Sequence, residues 1–391
     1  MSNILSQNIN DVKITVIREY ISNFNVDLGV HRLVTIGKNI PLTKLEPNTA
    51  LEFMKTETSK GGLGLSSTDN IYKMVELFLS QTIESGGTTI KGDHFWIQGI
   101  EFNPVTDDLT LKLTDKIENT KEDADNYFWV FDIQSVAFNE WLSKFLTRNY
   151  NFGLIEKGES TVSDLEKSDR IFAIANPRVD VHIDKTNTIE FLNPKGSVVS
   201  ALGGGIFTRL ATAGFGMRVK HKTLQGIRTY NTPLFEHNVP LTNVDLNTYK
   251  SKNIATYENA WGAGMISLSK TIGGDVYSDE RIGLDYIIFV ITGSIHKLYN
   301  QQIGIPYDDG GINLIENKLN DCMVQVGDEG WLARKSTKAR DYSFKVSVPE
   351  RTSIPNQKVV DRILDNTAID FTLAGQIENV NVTLNWKTTL V

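Results

Sequence analysis

The chain has one cysteine, Cys322, among 391 residues, which excludes an intrachain disulfide and any dependence on an oxidising compartment. Positive charge is also in deficit: 40 Lys and Arg face 47 Asp and Glu, for a formal net charge of -7. Phosphate neutralisation needs a clustered cationic surface, so no nucleic-acid partner is expected. Long apolar runs are missing as well. The longest, "YIIFVI" from Tyr286 to Ile291, falls far short of the roughly 20 residues that cross a bilayer. It reads as the buried side of a core helix, and no membrane insertion is expected. The N-terminal stretch "MSNILSQNINDVKITVIREY" has no basic segment followed by a long apolar run, so no secretion signal is expected.

The common catalytic signatures are absent. There is no G-x-x-x-x-G-K-[ST], H-E-x-x-H, G-x-S-x-G or paired C-x-x-C, the patterns that cradle phosphates, hold zinc or present a nucleophile. His31, His94, His182, His221, His237 and His296 are scattered singly, with no i, i+4 pair for a metal. No catalytic residue, cofactor or metal ligand is assigned, and no enzyme activity is expected. If an α/β domain did carry a site at the carboxyl ends of its strands, the candidates would be Asp132 after "YFWVF" and Asn176 after "RIFAIA", each more simply a turn or cap residue. "GGLGL" (61–65) and "GGG" (203–205) read as a turn or a close helix contact. "YDDGG" places Asp308 and Asp309 before a helix, where carboxylates satisfy free N–H groups.

What is present is a globular composition, 40% hydrophobic and 22% charged, enough for two or three domains. "HRLVTIGKNI" reads as a strand entering a folded core. "IYKMVELFLSQT" puts Ile71, Met74, Val75, Phe78 and Leu79 on one helical face, and "HFWIQGIEF", "LTLKL" and "YFWVFDI" follow as strands. Val136, Phe138, Trp141, Leu142, Phe145 and Leu146 mark an amphipathic helix, and "FGLI", "RIFAIANP" and "VDVHI" continue a layered α/β series. Beyond about Ile254 two long helices, "GLDYIIFVITGSIHKLYNQQ" and "GGINLIENKLNDCMVQV", precede the strands "YSFKVSV", "AIDFTLAG" and "NVNVTLNW", an α+β order.

Both ends carry strand signals. Val12, Ile14 and Val16 alternate with polar residues, as do Val380, Val382, Leu384 and Trp386. A terminal strand exposes its N–H and C=O row unless something pairs with it. "RKSTKAR" gathers Arg334, Lys335, Lys338 and Arg340 within seven residues; it is a solvated loop or a cationic strip that meets an acidic partner surface.

In order, "YENAWGAGMISLSKTIGGDVYSDERIGLDYIIFVITGSIHKLYN", "IGIPYDDGGINLIENKLNDCMVQVGDEGWLA", "YSFKVSVPE" and "DRILDNTAIDFTLAGQIENVNVTLNW" resemble the sheath subunits of contractile bacteriophage tails and related phage-like particles. The family's terminal pattern F-x-L-A-G-x-I-x-x-V-x-V is matched at Phe371, Leu373, Ala374, Gly375, Ile377, Val380 and Val382. Upstream, "NYFWVFDIQ", "FNEWLSKFLTRNYNFGLIE", "RIFAIANP" and "ALGGGIFTRLATAGFGMRVKHKTLQGI" are collinear with the family's α/β portion.

The resemblance implies a multidomain α+β protein: an N-terminal arm (1–20), a strand leading into the core domain (21–40), an outer α/β insertion domain (41–253), a tube-proximal α+β core built from both chain ends (254–377) and a C-terminal arm (378–391). It implies stacked homohexameric rings around a tail tube, joined by strand exchange through Val12, Ile14, Val16, Val380, Val382, Leu384 and Trp386. Arg334, Lys335, Lys338 and Arg340 are the candidates for a contact with that tube, if they are not a solvated loop. Partners would be further copies of the chain, the tail tube protein, and baseplate and tail-terminator proteins. The location would be the virion tail after assembly in the host cytoplasm, and the action contraction that drives the tube through an envelope. The alternative is another tail structural protein, a tube or baseplate component using the same arms.

Overall fold

Every residue of "HRLVTI" is buried, the condition of a strand covered on both faces, where near-continuous apolar runs replace alternation. This strand, β1 (His31–Ile36), is central to the fold seen in the computed structural model. The structure describes residues 28–81, 84–85, 88–89, 94–103, 106–119, 125–134, 136–157, 167–175, 179–183, 188–192, 198–207, 219–225, 227, 229, 242–260, 262–274 and 276–375.

Along the chain β1 is followed by β2 (Ile40–Leu45), α1 (Ala50–Lys55), α2 (Asn70–Ser80), the short β3 (Glu84–Ser85) and β4 (Thr88–Thr89), β5 (Phe95–Ile100), α3 (Leu109–Leu113), β6 (Phe128–Phe131), β7 (Ile133–Gln134), α4 (Val136–Asn149), β8 (Phe152–Lys157) and β9 (Ile171–Ala175). Then come β10 (Val179–Ile183), β11 (Thr188–Leu192), α5 (Val198–Leu202), α6 (Asn243–Ser251), β12 (Tyr257–Ala260), β13 (Ala263–Ile266), α7 (Ser278–Gln301), α8 (Asp309–Asp328), β14 (Phe344–Ser347), α9 (Asn356–Val360) and β15 (Ala368–Phe371). Helices and strands are mixed, in keeping with the α+β expectation.

Six strands form one sheet in the order β2-β5-β1-β6-β8-β9, parallel except for β2. Strand β6 shows how both faces are covered. Phe128 meets His31 and Phe207 on one face, while Trp129 and Phe131 meet Phe145, Phe138 and Trp141 of α4 on the other. The α2 side is drawn in tightly at the expected close helix contact: a Cβ on Gly204 would lie 1.9 Å from the Phe78 carbonyl oxygen, so only glycine fits.

Two expectations are corrected. "LTLKL" is the helix α3, not a strand. Its leucines suit alternation, but Leu109, Leu113 and Ile117 are buried at helical spacing while Leu111 is 69% exposed. Asp108 caps the turn by accepting from the Leu111 N–H at 3.0 Å. Second, β1 was expected to lead into the α+β core; it lies between β5 and β6 of the large sheet, paired in parallel with both, and its six residues are all buried.

The far edge of that sheet, β9, is extended by the segment just past residue 253: Ala255 donates to the Ala173 carbonyl at 2.9 Å and accepts from the Ala175 N–H at 2.7 Å. The edge at β2 has no outer neighbour among the described residues. It carries Pro41, exposed Lys44 and a register shift between Ile40 and Thr43, three devices that discourage edge pairing.

Candidate assembly surface

The C-terminal unit is built on two helices. In α7, 24 residues long, the first half is buried on several sides, including Ile282, Gly283, Asp285, Tyr286 and Ile287, which is why "YIIFVI" is apolar nearly all round. Glycine at 283 admits the Trp331 indole, 2.6 Å from where a Cβ would stand, and that indole stacks on Tyr286 at 5.7 Å. Helix α8 starts as expected at "YDDGG": Asp308 accepts from the Gly311 N–H at 2.9 Å. Asp309 accepts from the Arg351 N–H at 3.0 Å, fastening the later chain to the same helix start.

At the other end of α8, Asp328 anchors a hairpin. It accepts from the Tyr342 hydroxyl at 2.7 Å and pairs with the Arg340 guanidinium at 3.1 Å. Arg334 and Tyr342 are bridged antiparallel, and the Lys335 N–H donates to the Asp341 carbonyl at 2.8 Å. The hydrogen bond to Asp328 leads the causes that raise the Tyr342 phenol above its ordinary pKa, so it stays a donor. The turn therefore holds up a cationic tip. Arg334, Lys335, Lys338 and Arg340 are all exposed, and the sequence-predicted quartet lies in one hairpin. Arg340 faces Asp328, and the Lys335 ammonium reaches the Phe344 carbonyl at 3.3 Å.

Directly after the hairpin, β14 pairs antiparallel with β15, Phe344 opposite Phe371 and Val346 opposite Ile369. Those four side chains form the covered face of the ribbon, while Lys345 opposite Asp370 is exposed. Among the described residues this sheet has only its two strands; the Phe344 N–H donates to the Tyr342 carbonyl at 3.0 Å and its carbonyl takes the Lys335 ammonium, while no third strand pairs with β14 or β15. A two-stranded ribbon is marginal on its own, and neither strand contains a proline or a register shift.

The remaining sequence candidates fall elsewhere. Val12, Ile14, Val16, Val380, Val382, Leu384, Trp386 and Asn176 lie outside the described residues. Asp132 follows β6, 2% exposed, and accepts from the Ile36 N–H at 3.1 Å and from the Thr35 hydroxyl. Burial pushes its carboxyl up to about 7 against these bonds and one from Asn70. Beyond the adjacent strands β1 and β6 the chain passes through β2 to α1 and through β7 to α4, and the carboxyl ends of such strands are where open α/β sheets bind ligands. Here the chain's own carboxylate takes the available donors. His31 is buried between Phe128 and Phe78, its pKa lowered to about 3 by burial. No group of three or more potential metal ligands occurs among the described residues.

Sequence reasoning missed Tyr342, Asp328 and Trp331 as the supports of the hairpin. Each partner is distant along the chain and none has a periodic signature; "YSFKVSV" beginning at Tyr342 was the nearest signal.

No protein-family model matches the chain, and no curated protein matches it. Solved structures do. A chain in the 6-fold symmetrised baseplate of the anti-feeding prophage is 13% identical, with a TM-score of 0.61 over 93% of this chain and 94% of that one. A chain of the anti-feeding prophage helical sheath in its contracted state is 12% identical, with a TM-score of 0.62 over 92% and 93%. The sheath complex of an extracellular contractile injection system, PVC, in the contracted state gives 9% identity and a TM-score of 0.62 over 91% of both chains. The chain has the fold of contractile-sheath proteins.

Proposed function

We propose that this chain is a sheath subunit of a contractile tail or injection particle, polymerising as stacked hexameric rings around a tube and contracting to drive that tube through an envelope. The observation that carries the reading is the β14–β15 ribbon, which has no third strand among the described residues, beside an exposed cationic hairpin on a contractile-sheath fold. Terminal arms of neighbouring copies would complete it. Val12, Ile14 and Val16 from one end (1–20) and Val380, Val382, Leu384 and Trp386 from the other (378–391) have the alternation of half-buried strands.

Strand addition draws affinity from main-chain hydrogen bonds and specificity from alternate side chains. About five bonds at roughly 1 kcal/mol net and three or four apolar side chains at about 1.5–3 kcal/mol each give a gross gain near 10 kcal/mol per arm. Ordering a dozen or so residues offsets much of this, so single links are modest and a closed lattice is durable. Bodies that rotate while their links persist would let the mesh shorten and widen without nucleotide hydrolysis. The cationic hairpin would meet an acidic tube surface, and the lattice ends would meet baseplate and terminator proteins.

Removing Met1 to Ile17, or Val380 to Val391, should leave a folded body that no longer polymerises, read by light scattering and electron microscopy. Tubes of normal length from either truncated form would contradict the arm roles. The likeness to a chain in a baseplate favours a second reading, a baseplate component. Hollow sheath-like tubes from the purified full chain support the first, and discrete rings or plates that do not elongate support the second.

A further inference from the structure

The helical hairpin α7–α8 carries the ribbon and the cationic tip, and its first helix meets the large sheet through a buried charge cluster. Asp285, in the second turn of α7, has a side chain with 0% exposure and accepts from both guanidinium nitrogens of Arg170, at 2.6 and 3.0 Å. It also accepts from the Tyr127 hydroxyl at 2.8 Å and from Arg281 one turn earlier. Arg281 continues outward to Asp169 at 3.1 Å. Tyr127 immediately precedes β6 and Arg170 precedes β9. Arg170 also donates to the carbonyl of Asn151, the residue before β8, at 3.3 Å. Asn151 in turn donates to the carbonyls of Asn126 and Tyr127 at 2.9 and 3.0 Å. The starting ends of three adjacent parallel strands therefore converge on one carboxylate of the helix.

Such a cluster is an expensive way to hold two elements together. Desolvation of a buried ion pair consumes most of its Coulombic gain, and apolar groups of like volume often serve stability as well or better. What the cluster adds is direction. A bidentate guanidinium and a phenol approach a carboxylate only along its lone pairs, whereas apolar side chains tolerate sliding. Burial works against the charge of Arg170, yet the hydrogen bonds and charge of Asp285 raise its pKa above the ordinary value, so the guanidinium stays charged.

We propose that Asp285 is a positioning residue that fixes the orientation of the α7–α8 hairpin, and with it the β14–β15 ribbon, relative to the six-stranded sheet. Its consequence for the polymer rests on the assembly reading above: lattice geometry would follow from the angle between the body and the edge that neighbours join.

The test separates orientation from folding. Nitroxide labels at Glu52→Cys in α1 and Asn317→Cys in α8, both exposed positions, are placed in a Cys322→Ala background, and the distance distribution is measured by pulsed electron resonance. The distribution should be narrow with the cluster intact. In the apolar replacement Tyr127→Phe, Arg170→Met, Asp285→Leu it should broaden or shift while the melting temperature stays close to that of the parent. An unchanged distribution in that folded variant overturns the proposal. Should the triple variant not fold, Tyr127→Phe with Arg281→Met removes two of the donors and keeps the Arg170 pair. Broadening supports the role, and an unchanged distribution again refutes it. Polymers of the variant should lose the parent's rise and twist. Failure of the unaltered chain to polymerise would count against the assembly reading alone, since the distance measurement needs no polymer.

Discussion

Replacing Asp132 with Asn should change how stability responds to pH. The carboxyl is held at the ends of β1 and β6 by the Ile36 N–H, at 3.1 Å, and the Thr35 hydroxyl. Burial outweighs these bonds and lifts its pKa from 3.8 to about 7. The folded value lies above the unfolded one, so between them the folded chain keeps a proton that the unfolded chain has released. The contribution is therefore fully present below the unfolded pKa and lost as pH rises through the folded one. At about 1.4 kcal/mol per pH unit, the gap sets a ceiling of roughly 4 kcal/mol on that loss. Asparagine has nearly the same shape: its carbonyl can accept from Ile36, and its amide can donate to a Thr35 hydroxyl turned to accept. Urea denaturation of both proteins at about pH 5 and about pH 8 should show the variant gaining relative to wild type at the higher pH. His31, with its pKa lowered to about 3 by burial, works in the acid direction. Its stability is present above the unfolded value near 6.5 and lost as pH falls, and being common to both proteins it cancels in the difference. Two lines that stay parallel across the range would refute the argument.

Gly204→Ala should destabilise by about 1–3 kcal/mol or more through overpacking against the Phe78 carbonyl, read as a shift in urea midpoint. Leu113→Ala should cost about 2–5 kcal/mol and Leu111→Ala less than about 0.5 kcal/mol, since the first is buried and the second exposed; equal losses would contradict the helix. Arg334→Glu with Lys338→Glu should spare self-assembly yet abolish growth on purified tubes, and unchanged decoration of tubes in sedimentation would return the hairpin to a solvated loop.

Local pattern carried a good part of the fold. The apolar stripe of α2, the aromatic face of α4, the aspartate at the start of α8 and the buried run of "YFWVF" were legible because each follows from a period or a cap. "LTLKL" was not, since leucine at alternate positions fits either period and only the Asp108 cap and the exposure of Leu111 decide it. The position of β1 was hidden because strand order depends on which apolar runs meet across long separations. The cationic quartet was visible as composition, but its presentation depends on Tyr342 meeting Asp328. Arg170, Tyr127, and the pair Arg281 and Asp285 of α7 are ordinary polar residues in three separate stretches until the fold gathers them.

On the assembly proposed above, a molecule that would grow by joining sheet margins must also avoid growth at the wrong one. The proline, the lysine and the slipped register along β2 discourage pairing at one margin, while the β14–β15 ribbon has neither a proline nor a slip. On that reading, subunits crowded at high concentration would have a preferred direction of attachment, and order in the array would owe as much to that refusal as to any bond that forms.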